Sequence, residues 1–338
     1  MTSNQTWILR KRPSGALASG DLELVTSELP ELADGMVRVR TVYLSLDPTN
    51  RIWMSDAKGY MPPVAIGAGM RGGGLGVVEE SRFIGIAPGA VVNTGLATWA
   101  LYNDLPGEKL AVLPKLPGVP LTAFMGPLGV TGMTAYFGLL DIGQPKAGET
   151  VVVSAAAGAV GSMVGQIAKI HGCRVVGIAG STDKCRWLTD VAGFDAAIDY
   201  KSEDVGAALD RHCPAGIDIN FENVGGPVMD SVIARLNDFS RMPLCGLISV
   251  YNATKPVPGP FNFGNLLMRR TLLKGFIVLD YLDRFPAGMR AMADWLAAGK
   301  IKFETDIVHG LEIAPAALDR LFSGKNLGKL LVKVSDPP

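Results

Sequence analysis

The chain has 338 residues, 48% of them hydrophobic and 19% charged, with 32 Lys plus Arg against 32 Asp plus Glu. Zero formal charge and no sustained basic run exclude the electrostatic footprint of a nucleic-acid or anionic-membrane binder, so a small, largely apolar partner fits better. The length exceeds one ordinary hydrophobic core and predicts two domains, and 41 glycines, above the usual ~7%, suit a turn-rich α/β protein.

The first residues, MTSNQTWILRKRP, lack the apolar core and cleavage site of a signal peptide. No apolar stretch approaches the ~20 residues of a membrane span, and a cytoplasmic protein is expected. Up to about residue 120 the chain is punctuated by Pro and Gly, with alternating runs at 36–46 (MVRVRTVYLSL), 75–81 (LGVVEES) and 90–103 (AVVNTGLATWALYN) that read as strands of an all-β unit. MRGGGLGVVEES resembles a phosphate loop, but no helix follows it, and its glycines read as flexible turns leading into a strand. Asp47 and Arg51 read as a structural ion pair.

From residue 126 the texture changes. GPLGVTGMTAYFGLLDIG reads as a helix reached through glycines, after which strand-like and helix-like segments alternate as far as RMPLCGLISVY. Strands separated by helices of this length are the signature of βαβ units and of a parallel, doubly wound sheet. A Pro-rich loop at 254–264, a helix at 284–300 and a final strand, helix and strand complete the chain. The β character of that last segment predicts its return to the first domain.

Cys173, Cys185, Cys213 and Cys245 are too dispersed for a CxxC metal site and read as buried free thiols. His171, His212 and His309 have no partner at ligand spacing, so no metal site is expected. In VVVSAAAGAVGSMVGQIAK an apolar strand runs through small residues into a helix, the context that makes a glycine motif informative. The turn spans Ala156, Gly158, Ala159, Val160 and Gly161. Ala156 replaces the usual first glycine, which a tight turn at negative φ tolerates. Gly158 lets backbone approach a pyrophosphate seated on the helix start, and Gly161 lets the helix pack closely.

NAD sites place an acid at the end of the second strand, but here the sequence is IAGSTDK. Gly180 and Ser181 leave space and a hydroxyl, Lys184 adds a cation, and Tyr200 ends the third strand, so NADPH is the expected cofactor. Ser181 equally suits a helix N-cap, and Tyr200 edge packing.

With these residues the chain resembles the zinc-free medium-chain dehydrogenase/reductases, in the branch of prostaglandin, 2-alkenal and curcumin reductases. The matching stretches run in order through nearly the whole chain: LSLDP with Arg51, GMTAYFGLLDIGQPKAGETVVVSAAAGAVGS, GQIAKIHGCRVVGIAGS, FDAAIDYKSED, ENVGG, CGLISVYN and NLGKLLVKV. The resemblance implies a Rossmann domain over 126–304, a GroES-like β-barrel domain built from 1–125 and 305–338, an active site in the cleft, and a homodimer. It implies that Met133 and Thr134 border the nicotinamide, that Asn223 and Asn326 meet the cofactor, and that Gly180, Lys184 and Tyr200 form the adenosine-phosphate pocket. Tyr251, after CGLIS, and Tyr60 match active-site tyrosines. The family's LSxDPYMR appears here as LSLDPTNR, so Thr49 stands where an aromatic walls the substrate pocket. The implied reaction adds a hydride from NADPH to the β-carbon of an unsaturated aldehyde or ketone, with a tyrosine holding the enolate. The alternatives are a quinone reductase of the same superfamily and a non-catalytic NADP-binding regulatory protein.

Overall fold

The computed structural model describes residues 3–338. The chain forms two compact units, one from Met1–Thr122, Asp306–Lys325 and Leu330–Pro338, the other from Ala123–Thr305 and Asn326–Lys329.

The first unit is all-β at its centre. Met36–Ser45 pairs antiparallel with Lys329–Lys333, Arg71–Ser81 and Tyr102–Pro106, and the sheet continues through Val91–Thr98 to Ala111–Val112. Its core gathers Leu9, Leu44, Leu46, Met54, Met70 and Trp99 with Leu318, Leu330 and Val332 from the end of the chain. The glycines of MRGGGLGVVEES are strand residues, not turns, because the strand already begins at Arg71. A side chain could not be accommodated there: a Cβ on Gly72 would lie 2.4 Å from Trp99 Nε1, and one on Gly76 would lie 2.3 Å from Val39 Cγ1. Here glycine serves the close approach of neighbouring groups, which local sequence reads as flexibility. The short helix Thr49–Trp53 is pinned by buried polar contacts. Arg51 donates to the carbonyls of Pro13 (3.0 Å) and Gly15 (2.9 Å), where the sequence predicted Asp47 as its partner. Burial holds its guanidinium below the usual arginine range.

The second unit is a six-stranded, wholly parallel sheet in the order Ala196–Asp199, Arg174–Ala179, Thr150–Val153, Ile217–Phe221, Leu236–Leu244, Leu272–Gly275. Numbered along the chain this is 3-2-1-4-5-6, so the strand order reverses between Thr150–Val153 and Ile217–Phe221. Four consecutive buried residues in Thr150–Val153 reflect a strand covered on both faces. The helices Gly161–Ile170, Thr182–Asp190 and Val205–His212 follow the first three strands as the alternation predicts. No described helix is long and apolar enough to cross a membrane.

Candidate active site

The carboxyl end of Thr150–Val153 turns sharply. Ala155 takes a left-handed φ of 48°, and its carbonyl accepts the Gly158 N–H at 3.0 Å. Left-handed backbone costs a non-glycine residue about 1 kcal/mol or more, so the turn stores strain at the sheet's switch point. Ala156, the stand-in for the first glycine, keeps negative φ. A Cβ on Gly161 would lie 2.5 Å from the Ala155 carbonyl oxygen, so glycine is required where the helix meets the turn. The opening N–H groups of a helix have no partner inside it. That of Ala159 lies on the bridge to Gly328, while those of Val160 and Gly161 have no acceptor among the described residues. These groups and the Gly161 approach fit a pyrophosphate.

At the end of the second strand, Ser181 caps the helix Thr182–Asp190, its oxygen accepting the Lys184 N–H at 3.3 Å. The capping role left open by the sequence is therefore real, and it leaves the serine O–H able to donate outward. Tyr200 folds over Gly180 so closely that a Cβ there would lie 2.8 Å from the ring. The end of the second strand thus carries a hydroxyl and a half-buried lysine and no acid.

The other edge of the switch point is organised by a residue that sequence reading passed over. Glu222 is wholly buried, and its Oε1 accepts the N–H groups of Val224 (2.7 Å) and Gly225 (2.8 Å) and the Ser154 hydroxyl (3.0 Å), while Oε2 accepts Asn220 Nδ2 at 2.9 Å. Ser154 in turn fixes Asn223: its hydroxyl accepts the Asn223 N–H and its carbonyl accepts Asn223 Nδ2, both at 2.8 Å. The same segment is zipped to CGLISVY, because the N–H groups of Cys245 and Gly246 reach the Glu222 carbonyl and that of Ile248 reaches the Asn223 carbonyl. A single turn of 3-10 helix, Ile248–Val250, then delivers Tyr251, whose oxygen accepts the Leu247 N–H at 3.0 Å. Desolvation, reinforced by the Glu222 charge, pushes the Cys245 thiol up to about 12, so it stays protonated at neutral pH.

Asn326 belongs to this unit too. Its Nδ2 donates to the Gly328 carbonyl at 3.1 Å, and the Gly328 N–H reaches the Ala157 carbonyl at 2.8 Å, which ties NLGK to the turn. Met133 is fully buried, its sulfur facing Gly288 of the helix Phe285–Ala297. Ala156 is likewise buried, while Thr134 is half-buried with its hydroxyl donating to the Val130 carbonyl. Tyr60 lies in the first unit, 44% exposed, with its hydroxyl 2.6 Å from that of Thr49. Among the described residues no three His, Cys, Asp or Glu side chains gather as a metal site.

A parallel sheet in this order, with a glycine-bearing helix start at its reversal point, defines a Rossmann dinucleotide-binding protein. Residues 5–113 match the family described as the N-terminal domain of oxidoreductase, and residues 159–297 match that described as zinc-binding dehydrogenase. The chain is 45% identical over 337 residues to the NADPH-dependent curcumin reductase of Escherichia coli, covering 98% of this chain and 97% of that one. It is 40% identical over 339 residues to the 2-alkenal reductase (NADP(+)-dependent) of Nicotiana tabacum, covering 98% of each. Among solved structures, CurA from Vibrio vulnificus in complex with NADPH superposes with a TM-score of 0.93 at 46% identity, over 98% of this chain and all of that one. The chain belongs to the medium-chain dehydrogenase/reductase family, in its zinc-free branch of curcumin, alkenal and prostaglandin reductases.

Proposed function

We propose that the protein is a cytoplasmic, homodimeric reductase that uses NADPH to saturate the C=C bond of α,β-unsaturated ketones and aldehydes. The observation that carries this reading is full-length identity of 40% and 45% to enzymes named for alkenal and curcumin reduction with NADP(H). The acid-free second strand, with Ser181 and Lys184 beside it, supports the choice of phosphorylated cofactor.

The Ala156–Gly161 turn would hold NADPH, which would supply the hydride for the substrate β-carbon, leaving the C=C electron pair on the carbonyl oxygen as an enolate that needs a donor. The first N–H groups of the helix Gly161–Ile170 hold the pyrophosphate, and Ser181 and Lys184 hold the 2′-phosphate. Asn223 and Asn326, both fixed by hydrogen bonds, position the nicotinamide half. Tyr251 donates its O–H to the developing oxyanion. The Leu247 N–H on the phenol oxygen disperses charge there and makes the phenol a stronger donor. Tyr60 is a second phenol read as a donor to the substrate carbonyl oxygen, and a proton taken up from solvent at the α-carbon completes the reduction.

The deciding experiment follows NADPH consumption with 2-alkenals, alkyl and aryl enones, and quinones, with product analysis to separate C=C from C=O reduction. Saturated carbonyl products support the reading; turnover confined to quinones, or none with any substrate, sinks it. In the same assay Lys184→Ala raises KM for NADPH about ten-fold, the size of one charge-assisted hydrogen bond, and leaves KM for NADH within about two-fold. Equal effects on both cofactors end the phosphate assignment.

The homodimer rests on the sheet edge. Leu272–Gly275 is the last strand of the parallel sheet and all four of its residues are exposed. Phe261, Leu267 and Met268 are also exposed in the preceding segment, an apolar surface beside unpaired strand edge that a second copy would cover. Light scattering on wild type should give twice the mass of one chain, and Leu272→Lys should halve it. A monomeric wild type at micromolar concentration excludes the assembly.

A further inference from the structure

Thr49 and Tyr60 share a hydroxyl-to-hydroxyl hydrogen bond of 2.6 Å. The two ends of this bond differ in rigidity. Tyr60 sits in the exposed stretch between Gly59 and Pro62. Thr49 opens a helix whose next residues are anchored: Asn50 accepts the Asp47 N–H at 2.7 Å and donates to the Arg71 carbonyl at 3.1 Å, and Arg51 holds the carbonyls of Pro13 and Gly15. Asn50, Arg51 and Trp53 are all buried. The fixed group of the pair is thus the threonine.

We propose that Thr49 is a positioning residue for the reaction, holding the Tyr60 phenol in place and donating to its oxygen as the phenol donates to the substrate. The inference rests on the reading of Tyr60 as a donor to the substrate carbonyl oxygen. Without substrate the phenol is the stronger acid and donates to the threonine oxygen. As negative charge builds on the substrate oxygen, both hydrogens turn toward it, Thr49 O–H to the phenol oxygen and phenol O–H to the enolate. Each bond polarises the next in such a chain. The replacement of the aromatic at this motif position therefore exchanges a wall of the pocket for a second-rank donor.

The test compares Thr49→Val, which keeps the side chain's shape and deletes the hydroxyl, with Thr49→Ser, which keeps the hydroxyl. Tyr60→Phe and the Val/Phe double variant complete the cycle, all assayed with the fastest enal or enone of the substrate panel. Thr49→Val is expected to lower kcat about three- to ten-fold with KM and NADPH affinity within two-fold, and Thr49→Ser to restore most of it. The double variant should be no slower than Tyr60→Phe alone, because the threonine acts through the phenol. If Tyr60→Phe is slow while Thr49→Val is indistinguishable from wild type, or if the two losses multiply, the positioning role is overturned and the role of Tyr60 stands. If Tyr60→Phe turns over like wild type, the role of Tyr60 falls first and this one with it.

Discussion

Tyr251→Phe is expected to bind NADPH with wild-type affinity and to lose about 10² to 10³ of its turnover with enones, the cost of removing one well-aimed donor from a developing oxyanion. The substitution keeps the ring and deletes only the hydroxyl. The 3-10 turn that presents residue 251 is built from main-chain bonds to the ENVGG segment, so its geometry survives. The Leu247 N–H loses its acceptor, a loss of about 1 kcal/mol at a half-buried site, too small to unfold the protein. Fluorescence titration with NADPH separates binding from chemistry, and steady-state rates report the chemistry. Unchanged turnover removes Tyr251 from the mechanism.

Glu222→Ala should destabilise the protein by roughly 3 to 5 kcal/mol, because it leaves four buried donors facing a void, and each orphaned donor costs about 1–3 kcal/mol in a non-additive sum. The donors are the Ser154 hydroxyl, Asn220 Nδ2 and the N–H groups of Val224 and Gly225. NADPH affinity should fall in parallel, since Ser154 loses the partner that aims it at Asn223. Glu222→Gln keeps the volume but turns an NH2 toward donors, and should cost less, about 2 kcal/mol. Urea unfolding at unchanged m reads the stability, and an alanine variant within about 1 kcal/mol of wild type would show that the carboxylate does not organise this edge.

The two residues illustrate different legibility. Tyr251 was reached through resemblance, because a tyrosine after a strand is ordinarily a packing residue and only the flanking motif marks it. Glu222 was passed over because an acid reads as a solvent group, and its partner Ser154, 68 residues away, is brought to it only by strand pairing across the sheet centre. The one available signal was its place directly after the strand Ile217–Phe221 in the middle of the βαβ run, where a charge must either leave the sheet or be fully hydrogen-bonded. The side chain of Met133, at a motif position expected beside the cofactor, packs against Gly288, more than 100 residues away, a contact no local pattern announces.

The order of strands and helices from Thr150 to Leu244, the helix-start turn and the missing acid at IAGSTDK were determined by sequence alone, because period, turn chemistry and charge are local properties of a chain, whereas the helix Phe263–Met268 and the strand Leu272–Gly275 were not. Tertiary structure decided what depends on partners distant along it. The glycines at 72 and 76 became strand interior because Trp99 and Val39 occupy their face, Ala155 took the left-handed turn because the strand and the helix on either side are held in place, and a threonine met a tyrosine hydroxyl across a loop. Such contacts draw their free energy from packing and from buried hydrogen bonds, neither of which leaves a periodic trace in the order of residues.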